Sequence, residues 1–254
     1  MHLLLDIGNA RIKWAYADAG ELLDEGAFVH RGLEIADVAA FLTKLPVAPR
    51  QVDAVNVAGS EMAAILRKGI SDRFGVDLRL HVTEASCGPV RNGYTEADQL
   101  GVDRWAAIIG GWSHCREALC VVDAGTAVTI DLVNATGLHL GGVIVPGLQL
   151  METALSGQTA DIARFAARSE ASQEDWYGKN TRAAVVRGAV FTLAAAIDRA
   201  AEEFAQTEEG VHLILTGGDA EVLLGRLQRS AEFRPLLVLE GLQKIIEHEG
   251  ENQA

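Results

Sequence analysis

Cysteine is scarce in this chain. Of 254 residues only Cys87, Cys115 and Cys120 are cysteines, with no Cys-x-x-Cys spacing and no His pair at ligand spacing. An odd, scattered set of this kind excludes a disulfide framework and a structural zinc site, and it suits a reducing compartment. Proline is also sparse, at 5 against 26 glycines, which favours tight turns and close backbone approaches over Pro-rich linkers. Basic charge is in the minority, with 22 Lys and Arg against 35 Asp and Glu, a formal net charge of −13. No basic stripe is present to neutralise a phosphate backbone, so nucleic acid is excluded as a partner. No apolar run approaches the ~20 residues that span a bilayer. The N-terminal segment from Met1 to Asp6 has no basic flank, and its apolar run is too short for a signal peptide. The expectation is a soluble, cytoplasmic protein that contacts no membrane. Apolar residues at 49% and charged residues at 22% are those of a folded protein, not a disordered one.

What is present is an alternation of short apolar strands, glycine turns and amphipathic helices, which reads as α/β. His2–Leu5 is a strand, Asp6-Ile7-Gly8-Asn9 a turn, and Ile12–Ala17 a second strand, with Asp18-Ala19-Gly20 as the next turn. A strand around Val52–Ala58 leads to Ser60, the expected N-cap of a helix through Phe74. Leu78–Val82 is a short strand, and Cys87–Gln99 a long irregular segment of the kind that carries function when ordered. A helix from Gly101 to about His114 buries Trp105, Ile108, Ile109 and Trp112. Beyond it come strands at Leu119–Val122, Val128–Val133 and Leu138–Val145, the last broken at Gly141-Gly142. A helix starts near Leu148 and another covers 188–206. Strand Val211–Thr216 feeds a helix from Ala220 to Leu227. Leu236–Leu239 reads as extended, followed by a terminal helix from Gly241.

One pattern occurs twice. Leu3-Leu4-Leu5-Asp6-Ile7-Gly8-Asn9 and Cys120-Val121-Val122-Asp123-Ala124-Gly125-Thr126 share a grammar of apolar strand, Asp, a small or apolar residue, Gly, then Asn or Thr. The two copies lie half the chain apart, which predicts duplicated halves, 1–117 and 118–254. A glycine turn exposes backbone N–H groups to phosphate oxygens, and an Asp beside them can hold Mg²⁺ directly or through water. An ordinary hairpin whose Asp closes an Asx turn is the competing reading. Arg11 and Lys13 follow the first turn, where a cation can meet phosphate; solvated surface charge is the alternative. Thr216-Gly217-Gly218-Asp219 is a strand-to-helix crossing that either lays a nucleotide on a helix N-terminus or simply turns tightly. At Gly101-Val102-Asp103-Arg104 an acid opens a helix. It is either a dipole-stabilised cap or a base for a substrate hydroxyl, with Arg104 gripping a carboxylate.

Taken in order, these segments resemble the type III pantothenate kinases, the family that also contains the Bvg accessory factors. The resemblance rests on Asp6 to Lys13, Gly101 to Trp105, Asp123 to Thr129, Gly141 to Gly147, Thr216 to Ala220 and Leu239 to Leu242. It implies two ribonuclease-H-like, actin-like ATPase domains with mixed sheets flanked by helices and ATP in the cleft. It also implies a homodimer, Mg²⁺, and a monovalent cation such as K⁺ or NH₄⁺. The implied reaction is ATP-dependent phosphorylation of pantothenate, the first step of coenzyme A synthesis. Position by position, Asp6, Ile7, Gly8, Asn9, Ala10, Arg11, Ile12 and Lys13 would face the ATP phosphates, with Asp6 toward Mg²⁺. Asp123 would bind the monovalent cation and Thr126 would contact ATP. Tyr94, Gly101, Val102, Asp103 and Arg104 would line the pantothenate pocket, with Asp103 as proton acceptor, and Thr181 would reach it from the partner subunit. Ala10 departs from the family's usual Thr or Ser, which removes a hydroxyl near the phosphates. Two other functions use the same parts: a phosphohydrolase in which water replaces the alcohol, and a nucleotide-sensing accessory factor in gene regulation.

Overall fold

The computed structural model describes residues 1–18, 20–30, 35–158 and 175–253; Ala19, in the expected Asp18–Gly20 turn, lies outside them. The chain forms two compact units. One comprises Met1–Arg116, Thr136–Leu140 and Leu236–Ala254, the other Glu117–Ala135 and Gly141–Pro235. The C-terminal stretch, which the sequence grouped with the second half, therefore packs with the first.

In the first unit β1 (His2–Ile7) and β2 (Arg11–Asp18) form the expected hairpin, with Asp6 opposite Lys13 and Ile7 opposite Ile12. Leu3, Leu4 and Leu5 are all fully buried, so β1 is covered on both faces. That explains why it reads as a continuous apolar run instead of an alternating one. β4 (Gln51–Asn56) runs parallel to β1, β5 (Leu78–Leu80) runs parallel to β4, and β3 (Glu21–Val29) closes the other edge to give the order β3-β2-β1-β4-β5. The sequence does not announce β3, because its pattern Glu-Leu-Leu-Asp-Glu-Gly is mostly exposed on this edge; charged residues are usual on an edge strand.

Helix α1 (Ile35–Thr43) packs on α2 (Ser60–Phe74). The N-cap of α2 is Gly59 at φ 91, not Ser60, and it makes no side-chain cap bond. Asn56 organises this entry instead, donating from its side chain to the Gly59 carbonyl (2.9 Å) and accepting from the Ala58 amide (3.1 Å). Helix α3 spans Val102–Cys115. The apolar run Leu236–Leu239 proves helical from Leu237, which opens the terminal helix Leu237–Gln253. A short buried apolar run suits strand and helix alike. Here packing on α3 decides, since a Cβ on Gly241 would fall 1.7 Å from the Ala106 carbonyl oxygen.

Asp53, fully buried in β4, is the polar pivot of this unit. It accepts hydrogen bonds from His2 (2.5 Å), His81 (2.6 Å) and Gln51 (2.8 Å), while the other nitrogen of His81 lies 3.0 Å from Glu249 in the terminal helix. Burial alone would raise the Asp53 carboxyl, but the bonds from His2, His81 and Gln51 outweigh it and hold the group well below the usual carboxylate range.

The second unit repeats the plan. β8 (Leu119–Ala124) and β9 (Ala127–Val133) form an antiparallel hairpin. β11 (His212–Thr216) is parallel to β8, β12 (Glu232–Phe233) is parallel to β11, and β10 (His139–Pro146) completes the order β10-β9-β8-β11-β12. This is the strand order of the first sheet, so the echo in the sequence is an echo in topology. β10 is not broken at Gly141, whose φ of +127 is absorbed inside the strand.

Helix α4 (Leu148–Gln158) follows, and α5 runs Thr181–Phe204, starting earlier than the periodicity indicated. Asn180 caps it by accepting from the Ala183 amide at 2.9 Å. Helix α6 (Ala220–Leu224) stops at Gly225, short of the expected Leu227. The helix after it in chain order, Leu237–Gln253, is α7. No helix among the described residues is long and apolar enough to cross a membrane.

Candidate active site

The bend after β1 is built by its neighbours. The Gly8 amide donates to the Arg11 carbonyl at 3.1 Å and closes the turn. Buried His30 clamps it from the side: its backbone amide donates to Ala10 O (2.9 Å), and its ring nitrogen Nε2 lies 2.9 Å from Gly8 O. The closing amide is thus used internally, and the exposed part of the bend is Asn9, Ala10 and Arg11. Asp6 stands half-buried at the strand end, across from Lys13. A carboxylate, an exposed turn and two cations within eight residues form a combination that can receive a phosphate chain and its metal.

The matching bend after β8 has the same internal bond, from Gly125 N to Ala127 O at 3.0 Å. Here the structure brings together three segments that are far apart in sequence. Gly147 donates to Thr126 O (3.0 Å), and a Cβ on it would lie 2.3 Å from Gly125 O. Gly217, at φ +99, lies so close that a Cβ would fall 2.4 Å from the Ala124 carbonyl carbon, and the Asp219 amide donates to Ala124 O at 2.9 Å. The motifs around 123–126, 146–147 and 216–219 therefore form one backbone nest, with Asp123 half-buried and Thr126 exposed at its surface.

The candidate substrate residues Tyr94 and Gly101–Arg104 come together in the first unit. Gly101 precedes α3, and Asp103 folds back so that its Oδ1 accepts the Arg104 amide at 2.8 Å. A Cβ on Gly101 would sit 2.7 Å from that oxygen. Asp103 is an acid in the first turn of α3, as the dipole reading expects, although no side chain caps the helix at Gly101. Arg104 is buried at 6% exposure. It donates to the Tyr94 hydroxyl at 3.2 Å, with its guanidinium carbon 5.7 Å from the Tyr94 ring centre. Tyr94 is set by Asn92, whose side-chain oxygen accepts the Tyr94 amide (3.0 Å) and whose nitrogen donates to Ala97 O (3.1 Å). The supposedly irregular segment 87–99 is therefore ordered: a small hairpin, β6 (Ser86–Cys87) with β7 (Val90–Arg91), then this Asx turn and a 3-10 turn at Ala97–Gln99. Val102 occupies the first turn of α3.

Thr181 lies at the head of a different helix. It begins α5 in the second unit, exposed, lining a groove of ≈ 860 Å³ with Pro146, Leu150, Met151 and Leu155. Sequence reasoning missed His30 and His139. A lone buried His carries no local signal, and only the turn that it brackets or the ring that it touches reveals it.

Among the described residues no three His, Cys, Asp or Glu side chains converge as a metal cage. Asp6 and Asp123 each offer one carboxylate at a turn. That donor set fits a cation held mainly by phosphate and water, and it does not fit a dedicated protein-only site.

Two sheets of one strand order, each bearing a strand–Asp–x–Gly–strand bend, define an α/β protein of the ribonuclease-H-like, actin-like ATPase class. The fold recurs in a Baf family transcriptional activator from Campylobacter jejuni (TM-score 0.61, 23% identity, 98% of this chain and 99% of that one). A 2-dehydro-3-deoxygalactonokinase from Sinorhizobium meliloti shares it as well (TM-score 0.60, 11% identity, covering 97% and 98%). Within that class the chain belongs to the type III pantothenate kinase family, whose model matches residues 2–203. Curated type III pantothenate kinases are similar to it over nearly their whole length. That of Aromatoleum aromaticum is 36% identical, covering 96% of this chain and 97% of its own, and that of Halorhodospira halophila is 34% identical, covering 98% and 99%.

Proposed function

We propose that this chain transfers the γ-phosphoryl group of ATP to the primary hydroxyl of pantothenate, forming 4'-phosphopantothenate at the entry to coenzyme A biosynthesis. The observation that carries the reading is the buried Arg104 guanidinium, tethered to Tyr94 and adjacent in sequence to Asp103 at the start of α3. A planar, permanently charged group suits a carboxylate, and the acid beside it suits an alcohol. Water needs no carboxylate grip, so the arrangement favours an acceptor that carries one.

The transition state of phosphoryl transfer asks for positioning and charge stabilisation more than for covalent work. Asp103 orients the hydroxyl and accepts its proton at the carboxylate as the new P–O bond forms. Arg104 holds the substrate carboxylate, with Tyr94, Gly101 and Val102 shaping the pocket. Asp6 to Lys13 face the phosphates, with the amides of the exposed turn, Arg11 and Lys13 as donors, and Thr126 contacts ATP. Asp6 would hold Mg²⁺, directly or through water, and the ion would supply neutralisation of phosphate charge; Asp123 would hold the monovalent cation, K⁺ or NH₄⁺. The enzyme works in the cytoplasm as a homodimer, in which Thr181 serves the partner's substrate pocket. Leu150 and Leu155, 45% and 46% exposed beside Thr181, support a second copy covering that groove.

The test is ADP release with ATP and Mg²⁺, with and without pantothenate and with K⁺ exchanged for Na⁺. Pantothenate-dependent, K⁺-stimulated turnover is expected. ATP consumption indifferent to pantothenate would instead mark a phosphohydrolase, and no turnover at all an accessory nucleotide sensor. Asp103→Asn should lower kcat at least ~10²-fold, the usual scale for a positioned acid–base group; near wild-type kcat would remove Asp103 from the mechanism.

A further inference from the structure

His139 begins β10 and is fully buried. A fully buried imidazole is an expensive choice for packing alone. It belongs to the short segment Thr136–Leu140, which packs with the first unit although its strand continues into the second. The His139 ring stacks on the Tyr94 ring, with centroids 5.5 Å apart and planes inclined by 24°.

The backbone fixes this contact from both sides. The Arg91 amide donates to Gly137 O at 2.9 Å, and Arg91 pairs with Leu138 in a parallel bridge, which ties the segment to β7 just ahead of Tyr94. Gly93, between them, touches His139 so closely that a Cβ would fall 1.8 Å from the His139 carbonyl oxygen. Tyr94 in turn receives the hydrogen bond from Arg104. A line of contact therefore runs from His139 through the Tyr94 ring to the Arg104 guanidinium.

We propose that His139 is a positioning residue for the carboxylate-binding site. It fixes the plane of Tyr94, and Tyr94 fixes the plane of Arg104, so the guanidinium meets a carboxylate already oriented. This rests on the reading of Tyr94 and Arg104 as pantothenate-binding residues and deepens it. Arg is a long side chain with several free rotations, and a bidentate grip needs its plane in one orientation. Anchoring it in advance avoids part of the ordering cost on binding, an effect of about 3- to 10-fold in affinity per side chain. The gain falls on pantothenate and not on ATP, because only the acid end of the acceptor meets this plane.

The experiment compares His139→Ala, His139→Gln and His139→Phe in the full-length enzyme, varying pantothenate and ATP separately. Ala and Gln lose the ring and should raise the pantothenate KM about 3- to 10-fold, the worth of an aromatic pair, with ATP KM and kcat nearly unchanged. Phe keeps a ring to stack on and should restore the wild-type KM. If the Ala variant does not fold, the Gln and Phe pair decides. The chain has three tyrosines, so ¹⁹F spectra of 3-fluorotyrosine-labelled protein resolve Tyr94. Its signal should shift and broaden without ligand in the Ala and Gln variants and keep the wild-type width in Phe. Unchanged pantothenate KM in Ala and Gln, or a joint loss in both KM values and kcat, overturns the proposal. Arg104→Lys separates the two failures. If it raises the pantothenate KM while the His139 variants do not, only the positioning role falls; if it changes nothing, the carboxylate reading falls and His139 with it.

Discussion

Replacing Gly217 with Ala tests the nest at the end of β8. Gly217 sits at φ +99, and the new Cβ would lie 2.4 Å from both C and O of Ala124 and 2.5 Å from its N. Ordinary contact begins near 3.4 Å, and all three obstacles are backbone, so one strand end must move by about 1 Å. A side chain at positive φ costs about 1–2 kcal/mol, and forced overpacking about 1–3 kcal/mol. The bond from Asp219 N to Ala124 O, worth about 1 kcal/mol, is the first to stretch. Movement relieves some strain as it breaks the bond, so the sum is about 3–5 kcal/mol. At roughly 2–4 °C per kcal/mol the melting temperature should fall by about 10 °C.

The displaced backbone is that of Ala124, next to Asp123 and immediately before Gly125 and Thr126, so the ATP KM should rise by more than about tenfold as well. Differential scanning fluorimetry and ADP-release kinetics read both effects. Gly225→Ala is the control. Gly225 has open space around its Cβ position and ends α6 with ordinary φ of −68, so melting should change little. A Gly217→Ala enzyme that melts with the wild type and keeps its ATP KM would refute the close approach of the β11–α6 turn to β8.

Three further outcomes are expected. Ala10→Thr supplies a hydroxyl at an exposed position of the first bend; one added hydrogen bond of about 1 kcal/mol should lower the ATP KM about fivefold, and an unchanged KM would remove that side chain from phosphate contact. The Asp53 carboxyl is held below its ordinary value in the folded state, so its stabilising contribution is present above the unfolded value near ~4 and is lost as pH falls below it. Asp53→Asn should cost about 3 kcal/mol at neutral pH, as breaking a buried pair does, and should flatten the acid limb of a stability–pH curve; a variant with the wild-type acid limb would show that the cluster does not set it. Burial raises the thiols of Cys120, to about 12, and of Cys87, to about 11, where Glu84 and Glu249 add to the effect. Iodoacetamide at pH 8 should therefore label half-buried Cys115 first in the native protein, as read by peptide mass spectrometry, and equal labelling of Cys120 would contradict its burial.

Much of the candidate site was legible because its signals are local. A strand, an Asp and a glycine turn lie within seven residues, and the two copies reveal the duplication before any sheet is seen. Gly101, Asp103 and Arg104 fall within one helical turn, and the backbone bond between Asp103 and Arg104 is a local one. Other elements escaped notice because their signals are not local. The acid-rich β3 looks like loop until an edge pairs with it, and Leu237 becomes helical only because α3 offers a surface that Gly241 can approach.

The sequence by itself determined the α/β class and the repeated bend, since both depend on periodicity and turn chemistry within a short span, and its ordered motifs carried the resemblance to the family. Only the tertiary structure decided that residues 123–126, 147 and 217–219 form one nest, that the terminal helix completes the first unit, and that His139 lies against Tyr94. Those contacts join segments from 20 to well over 100 residues apart, and nothing in the local energetics of either partner records the other.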